Sequence, residues 1–140
     1  MGHKDTNKID NQQTSLNLFS VQEKPIELSY SGEKISSDGG LLLLKEVENQ
    51  INILSDFSAC INDQRDQRYS AHTIETLVSQ RVFQIASGYE DANDCNMLRN
   101  DAVIKLCSGQ LPETDIDLSS QPTMSRFENS VRRSELYRIA

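Results

Sequence analysis

Near the front of the chain, apolar and polar positions alternate with a period of two residues. Ile26, Leu28 and Tyr30 are separated by polar side chains, and Ser31-Gly32 then provides a turn before the pattern resumes. Such alternation is typical of a strand with one buried face, and a short glycine-containing turn commonly joins two such strands. The pattern predicts a short β-hairpin over residues 26–35.

Beyond residue 38, apolar side chains instead recur every three to four positions, which is the spacing of amphipathic helices. This spacing predicts helices over residues 39–54, 72–87, 91–98, 101–108, 121–131 and 134–140, with a short helical turn near 57–61. The 72–87 helix has the broadest apolar stripe, and Gly88 fits a left-handed cap at its C-terminus. The stripes predict a core of Leu42, Leu43, Val47, Leu77, Val78, Val82, Phe83, Ile85 and Leu98.

Residues at the predicted helix ends support these boundaries. Asp101 can accept an amide proton from the first turn of the helix that follows it, and Ser119 or Ser120 can do the same for the 121–131 helix. Pro122 falls in the first turn of that helix, where a missing amide proton costs little.

The chain divides into a polar front and a patterned remainder. Residues 1–20 lack a periodic apolar face and are predicted to be a disordered leader, followed by a single domain over 21–140. The predicted fold class is mainly α. It comprises a short N-terminal β-hairpin, a bundle of about five to six helices and a helix-turn-helix-like C-terminal part.

Charge and composition narrow the class of protein. The chain carries 14 Lys and Arg against 21 Asp and Glu, a net charge of −7, so its whole surface is a poor candidate for nonspecific binding of nucleic acid. Its longest apolar run is Leu41 to Leu44, so no membrane-spanning segment and no membrane partner are expected. The three cysteines are widely spaced and form no CxxC pair, which favours reduced thiols in a cytoplasmic protein.

The candidates for metal binding and catalysis are weak. His72 has no Cys or His partner at ligand spacing, and no glycine-rich phosphate loop is present. The acids of residues 90–101 are more simply helix caps than ligands for a divalent cation, and Asp115 and Asp117 follow a loop sequence rather than a buried strand. We expect no metal site, no cofactor and no catalytic residue in this chain.

The strongest binding signal lies at the C-terminal end, where the local charge changes sign. Residues 118–140 contain four arginines against two glutamates, whereas residues 90–117 contain two basic residues against seven acids. Arg and Gln can pair with bases, and hydroxyl groups can bind phosphates. The candidate DNA-binding residues are Gln121, Thr123, Ser125, Arg126, Arg132 and Arg133.

A purely structural interpretation of the same helix stays open. Met124, Phe127 and Val131 recur at helical spacing and can form a buried face, with the polar residues simply solvated on the other side.

Several segments together resemble a known family. They are Ile35-Ser36-Ser37-Asp38-Gly39-Gly40, the run from Gln80 to Asp94 that contains Gly88-Tyr89-Glu90-Asp91, Leu98-Arg99-Asn100-Asp101, and Ser120-Gln121-Pro122-Thr123-Met124-Ser125-Arg126. In this order and spacing they resemble the N-terminal region of insertion-sequence transposases with a DDE catalytic domain of the group 1 type. The resemblance covers about residues 26–140.

The resemblance implies a role in DNA transposition, with transposon ends as the partner. In that family the first catalytic acid follows an apolar strand downstream of the Gln-Pro-Thr helix, and no such strand is found up to Ala140. We therefore expect a transposase truncated before its catalytic core, so that this chain is not itself an enzyme.

Two hypotheses follow for its function. The first is a DNA-binding, non-catalytic N-terminal portion of a transposase. The alternative is a dimerisation or interaction module, which forms a homodimer or pairs with intact transposase. An autonomous enzyme that uses the acidic cluster is disfavoured, because no base, nucleophile and orienting group occur together.

Overall fold

Helices form about half of the residues that the structure describes. The structure is a computed structural model that describes residues 15–29 and 37–138, except for the side chain of Leu136. Within those ranges the elements are β1 (Leu16–Val21), β2 (Lys24–Leu28), α1 (Gly40–Ile51), α2 (Ile53–Cys60), a 3-10 turn (Gln67–Tyr69), α3 (Ile74–Ala86), α4 (Asp94–Leu98), α5 (Ala102–Cys107), α6 (Gln121–Ser130) and α7 (Arg133–Leu136). The prediction of a mainly α fold with a short N-terminal hairpin is confirmed.

The hairpin lies earlier in the chain than the alternation predicted. β1 pairs with β2 in antiparallel register, with Leu16 opposite Leu28 and Val21 opposite Lys24. Gln22 and Glu23 form the turn with positive φ angles of 48° and 66°, as the primed turns of tight hairpins require. Neither residue is a glycine or an asparagine, so the sequence carries no signal for this turn.

This placement corrects two expectations. Ile26 and Leu28 belong to the second strand of the hairpin rather than to its first, and the predicted turn at Ser31-Gly32 lies outside the described residues. The first strand takes in residues 16–20, which were assigned to the leader. The division into leader and domain otherwise stays a prediction, since residues 1–14 lie outside the description as well.

The helix predicted over residues 39–54 is divided at Asn52. This residue has a left-handed conformation with φ 56° and ψ 28°, and its N–H donates to the carbonyl of Glu48 at 2.7 Å. The side chain of Glu48 accepts a hydrogen bond from the N–H of Leu54 at 2.9 Å and so caps the beginning of α2. Asparagine tolerates the left-handed region better than most residues, which explains why the break falls there.

The beginning of α5 and the end of α3 follow the local signals, whereas the predicted cap of α6 is wrong, because the Ser120 side chain makes no cap hydrogen bond and Ser119 Oγ donates to Gln80. The side chain of Asp101 accepts from the N–H of Ile104 at 2.9 Å, which confirms the predicted cap of α5. Gly88 has a φ of 90°, and its neighbour Tyr89 donates its N–H to the carbonyl of Gln84 at 2.9 Å. This is the Schellman arrangement expected for a glycine that ends a helix.

Two apolar clusters form the core, and α3 contributes to both. Phe83 of α3 belongs to the first cluster, which joins α1 and α5 and is covered by the hairpin: Leu41, Leu42, Phe83, Val103, Ile104, Cys107 and Leu118. Leu77 and Val78 of α3 belong to the second, which includes α6: Ile61, Leu77, Val78, Cys95, Met124 and Phe127. Helix α3 is therefore the central element on which the other helices pack.

Part of the predicted core is in fact exposed. Leu42, Leu77, Val78, Phe83 and Leu98 are buried as predicted. The prediction is wrong for four further residues, because the broad stripes of α1 and α3 are wider than the surface that their neighbours cover: Leu43, Val47, Val82 and Ile85.

Helix α6 docks on α3 and α4 after a long loop. Residues 108–120 separate α5 from α6, whereas the two helices of a helix-turn-helix are joined by a turn of about three to four residues. The end of this loop is held by Gln80 of α3, which is fully buried. Its Nε2 donates to the carbonyl of Ser119 at 3.0 Å, and its Oε1 accepts from the N–H and Oγ of Ser119 at 2.9 and 2.7 Å.

We expect Gln80→Ala to lower the free energy of unfolding by roughly 2–4 kcal/mol, because it leaves the buried N–H and carbonyl of Ser119 without partners. Urea denaturation followed by circular dichroism measures this change. The control is Gln50→Ala on the exposed face of α1, with an expected change within about 0.5 kcal/mol. Equal stability of the two variants would contradict a structural role for this contact.

Candidate nucleic-acid interface

A cleft of about 550 Å³ separates α6 from the segment that precedes α3. Its walls are the segment of residues 65–72, Arg99 beyond α4, and one face of α6. We refer to it as the arginine cleft. Basic and hydroxyl side chains are abundant in its lining: Arg65, Arg99, Arg126, His72, Ser70, Ser120, Thr123 and Ser130.

The helix α6 presents two different faces. Thr123, Arg126 and Ser130 share the face that lines the arginine cleft, because they are spaced by three and four residues. Met124 and Phe127 are buried in the second apolar cluster. The predicted buried face is therefore confirmed, and the same helix also exposes a polar face at the cleft.

The six predicted DNA-binding residues lie in three places. Thr123 and Arg126 line the arginine cleft. Gln121 and Ser125 lie one turn apart, where Gln121 Nε2 donates to Ser125 Oγ at 3.0 Å. Arg132 and Arg133 are exposed at the beginning of α7 and do not line the cleft. The structure thus brings only two of the six residues into one concave site.

Arg126 is the most available cation of the cleft. It is exposed and makes no hydrogen bond or ion pair with any residue in the ranges 15–29 and 37–138. Arg81 contrasts with it, although it also lies near α6. The guanidinium of Arg81 pairs with Glu128 of α6 and donates to the carbonyl of Glu90 at 2.7 Å, so it ties α6 to the end of α3.

Arg65 reaches the cleft from the segment between α2 and the 3-10 turn. Asp63 binds it with two parallel contacts, Nε to Oδ1 and Nη2 to Oδ2, each of 2.7 Å. This hydrogen-bonded pair lowers the pKa of Asp63 well below its usual range and raises the pKa of Arg65. Asp66 and Arg68 repeat the arrangement. The repeated Asp-x-Arg spacing is a signal from which this orientation could have been predicted.

Two nitrogen atoms of the cleft lining are buried without a hydrogen bond. They are Nδ1 of His72 and Nε of Arg99, and neither has a partner among the residues that the structure describes. Arg99 Nε does lie 3.3 Å from Asp117 Oδ2, a distance that counts as an ion pair, but the geometry is not that of a hydrogen bond. Burial, Arg65 and Arg99 all lower the pKa of His72. This part of the cleft is consequently electropositive.

Comparison with known proteins identifies the family. The family described as transposase DDE domain group 1 matches residues 19–140. The chain belongs to this family of transposases, which confirms the resemblance noted from its motifs. Searches of curated proteins and of solved structures gave no match. No helix in the described part of the chain is long and apolar enough to cross a membrane.

The residues described here do not fit the divalent metal that the DDE family uses. No group of three or more His, Cys, Asp or Glu side chains in the ranges 15–29 and 37–138 could hold a metal ion. The candidate carboxylates are engaged one by one: Asp101 caps α5, Asp91 accepts two hydrogen bonds from Asn93, and Asp115 accepts from the N–H of Leu111 and from Gln22. We derive no metal-dependent step from them.

The lowered pKa of His72 predicts how stability depends on pH. In the window between the folded pKa and the ordinary value of 6.5, the unfolded chain binds more protons than the folded one. The contribution of neutral His72 to the free energy of unfolding is therefore complete above pH 6.5, and it is lost as the pH falls through that window.

We expect the urea midpoint to fall between about pH 7.5 and pH 5.5, and this fall to be smaller in His72→Gln. His3→Gln removes the other histidine of the chain and serves as the control. An identical pH profile in His72→Gln and in the wild type would contradict the prediction.

Proposed function

We propose that this chain is a DNA-binding, non-catalytic portion of a DDE transposase, and that transposon-end DNA binds at α6 and the arginine cleft. The observation that supports this most is Arg126. It is exposed and unpaired among the described residues, and it lines a concave site together with Arg65 and Arg99. A basic cleft on an otherwise acidic chain indicates a specific anionic partner.

The proposed contacts fall into two kinds. Thr123 and Arg126 share the exposed face of α6, where a guanidinium can pair with a base edge and a hydroxyl group can bind a phosphate. Arg132 and Arg133 lie outside the cleft and are proposed to contact the DNA backbone as the duplex continues past α6. Gln121 and Ser125 bind each other, so a contact between DNA and either side chain requires that hydrogen bond to rearrange.

The acidic remainder of the surface has a consequence for specificity. Because the chain has a net charge of −7, DNA is repelled from most of its surface and attracted only locally. Repulsion of like charges suppresses wrong orientations of the bound DNA more than it strengthens the correct one. Binding is therefore proposed to be weak at high salt and restricted to one orientation.

Arg126→Ala is expected to weaken binding to a cognate transposon end by about 1–3 kcal/mol if Arg126 contacts a base, with less effect on unrelated DNA. Arg132→Ala and Arg133→Ala are expected to weaken binding to all sequences equally and to reduce the salt slope by about one, as phosphate contacts do. Fluorescence anisotropy at several salt concentrations measures both effects.

The matched control for these variants is Lys24→Ala, which removes an exposed positive charge on β2, outside the arginine cleft. Circular dichroism verifies that each variant is folded. Unchanged affinity in all three arginine variants would remove α6 from the DNA interface.

One observation favours the alternative, a dimerisation or interaction module. Five apolar side chains along α1 and at the beginning of α2 are between 45% and 58% exposed: Leu43, Leu44, Val47, Ile51 and Ile53. Apolar patches of this kind commonly mark protein–protein interfaces. Concentration-dependent mass in sedimentation, lost in Val47→Lys but retained in Arg126→Ala, would favour this function over DNA binding.

We also propose that the catalytic carboxylates of the transposase are not among the described residues. The support is that the acids on which the chemistry could depend are engaged in helix caps and loop hydrogen bonds. With Mg²⁺ or Mn²⁺ and terminal-repeat DNA, neither strand cleavage nor joining is expected from this chain on a sequencing gel. Cleavage that disappears in Asp91→Asn or Asp94→Asn would refute this proposal.

A further inference from the structure

We propose that Arg65, His72 and Arg99 form a binding site for one phosphate group at the side of the arginine cleft opposite α6, and that a backbone phosphate of DNA occupies it. The inference rests on the proposed function, because it assigns the source of the phosphate to the DNA that α6 binds. None of these three residues was a candidate in the sequence.

The first argument is the unsatisfied hydrogen bonding of the site. Nδ1 of His72 and Nε of Arg99 are both buried, and neither forms a hydrogen bond in the ranges 15–29 and 37–138, although Asp117 Oδ2 lies 3.3 Å from Arg99 Nε. Leaving a buried polar group unpaired is costly, so native structures leave few of them without a protein, water or ligand partner. Acceptor oxygens of a ligand in the cleft would supply the hydrogen-bond partners that these two nitrogen atoms lack.

The second argument is charge. Three arginines line the cleft, and Asp66 is the only acid in its lining. The nearby carboxylates are already engaged: Asp63 with Arg65, and Asp66 with Arg68. Asp117 Oδ2 lies 3.3 Å from Arg99 Nε and forms an ion pair with it, without the geometry of a hydrogen bond. No carboxylate among the described residues pairs with Arg126, so its positive charge is the uncompensated one in the lining.

The third argument concerns the kind of anion. A planar guanidinium matches two oxygens of a phosphate, and hydroxyl groups add donors to the same group. Ser120 and Thr123, at the beginning of α6, bring hydroxyls to the other side of this cleft, where their oxygen atoms lie 3.4 Å apart. The cleft of about 550 Å³ is larger than one phosphate, so it leaves room for nucleotide atoms on either side of a bound phosphate.

The site also couples phosphate binding to the charge of His72. The charged and titratable groups of the cleft lining are Arg65, Asp66 and Tyr69 from the preceding segment, Arg99 beyond α4 and Arg126 of α6, and Asp117 of the loop before α6 pairs with Arg99. Burial, and then the positive charges of Arg65 and Arg99, lower the pKa of His72 in the free protein. A bound phosphate offsets them and favours the imidazolium, which can donate from both nitrogen atoms. Phosphate binding is therefore expected to raise the pKa of His72 and to tighten as the pH falls.

The first experiment uses inorganic phosphate at constant ionic strength, with chloride as the reference anion. The His72 ring signals, assigned by comparison with His72→Gln, are followed by NMR over a pH titration. We expect phosphate to raise the pKa of His72 and Arg99→Gln to weaken phosphate binding about tenfold, which corresponds to about 1.4 kcal/mol. Lys24→Gln is the matched control and should bind phosphate like the wild type. Absence of any phosphate-dependent shift at His72 would overturn the inference.

The second experiment tests whether DNA supplies the phosphate. Single uncharged methylphosphonates replace the backbone phosphates of a transposon-end duplex one at a time. We expect one position to weaken binding about tenfold in the wild type and to have no further effect in Arg99→Gln, because both changes remove the same contact. Phosphate binding without any such coupled position would overturn the assignment to DNA.

The two proposals fail in distinguishable ways. If Arg126→Ala weakens DNA binding while Arg99→Gln and His72→Gln do not, the proposed function stands and the phosphate site is overturned. If no variant affects DNA binding but phosphate still shifts His72, the proposed function fails and the source of the phosphate is not DNA.

Discussion

The geometry of the candidate interface depends on one buried side chain. Gln80, in the middle of α3, binds the N–H, carbonyl and hydroxyl groups of Ser119 and so fixes the chain just before α6 begins. The side-chain amide of Gln80 forms the same hydrogen bonds as the backbone of a neighbouring strand, because it has one donor and one acceptor side by side. Without it, α6 would be held on α3 by the ion pair between Arg81 and Glu128 at the surface and by the non-directional apolar packing of Met124 and Phe127.

Some arginines near the cleft are bound by carboxylates of the protein, whereas Arg126 is not. Arg65 and Arg81 are bound to Asp63 and Glu128, and these ion pairs orient the segments that border the cleft. Arg126 has no such partner in the described part of the chain. A few pairs between oppositely charged residues thus position the walls, while one unpaired cation is left at the surface where an anionic partner can bind it.

Near the break at Asn52, part of the apolar surface of α1 stays exposed. Because α1 ends there and α2 starts in a new direction, Val47 and Ile51 stay exposed, while Leu41 and Leu42 enter the core. Both surfaces, the cleft and the exposed apolar side chains, belong to the part of the chain that matches the transposase DDE domain group 1 family. A basic cleft and an apolar stripe are what a protein needs if it contacts both DNA and another protein.

Features that depend on neighbouring residues could be predicted from the amino-acid sequence. Three such features involve interactions within one or two helical turns. They are the cap of α5 by Asp101, the end of α3 at Gly88, and the buried face of α6 at Met124 and Phe127. The pairing of the hairpin through Gln22-Glu23, the division at Asn52, and the meeting of Arg65, His72 and Arg99 with Arg126 became visible only in the folded chain. The cleft joins residues far apart in the chain, Gln22 and Glu23 adopt a conformation that is unusual for their residue types, and an asparagine tolerates a left-handed break without requiring one.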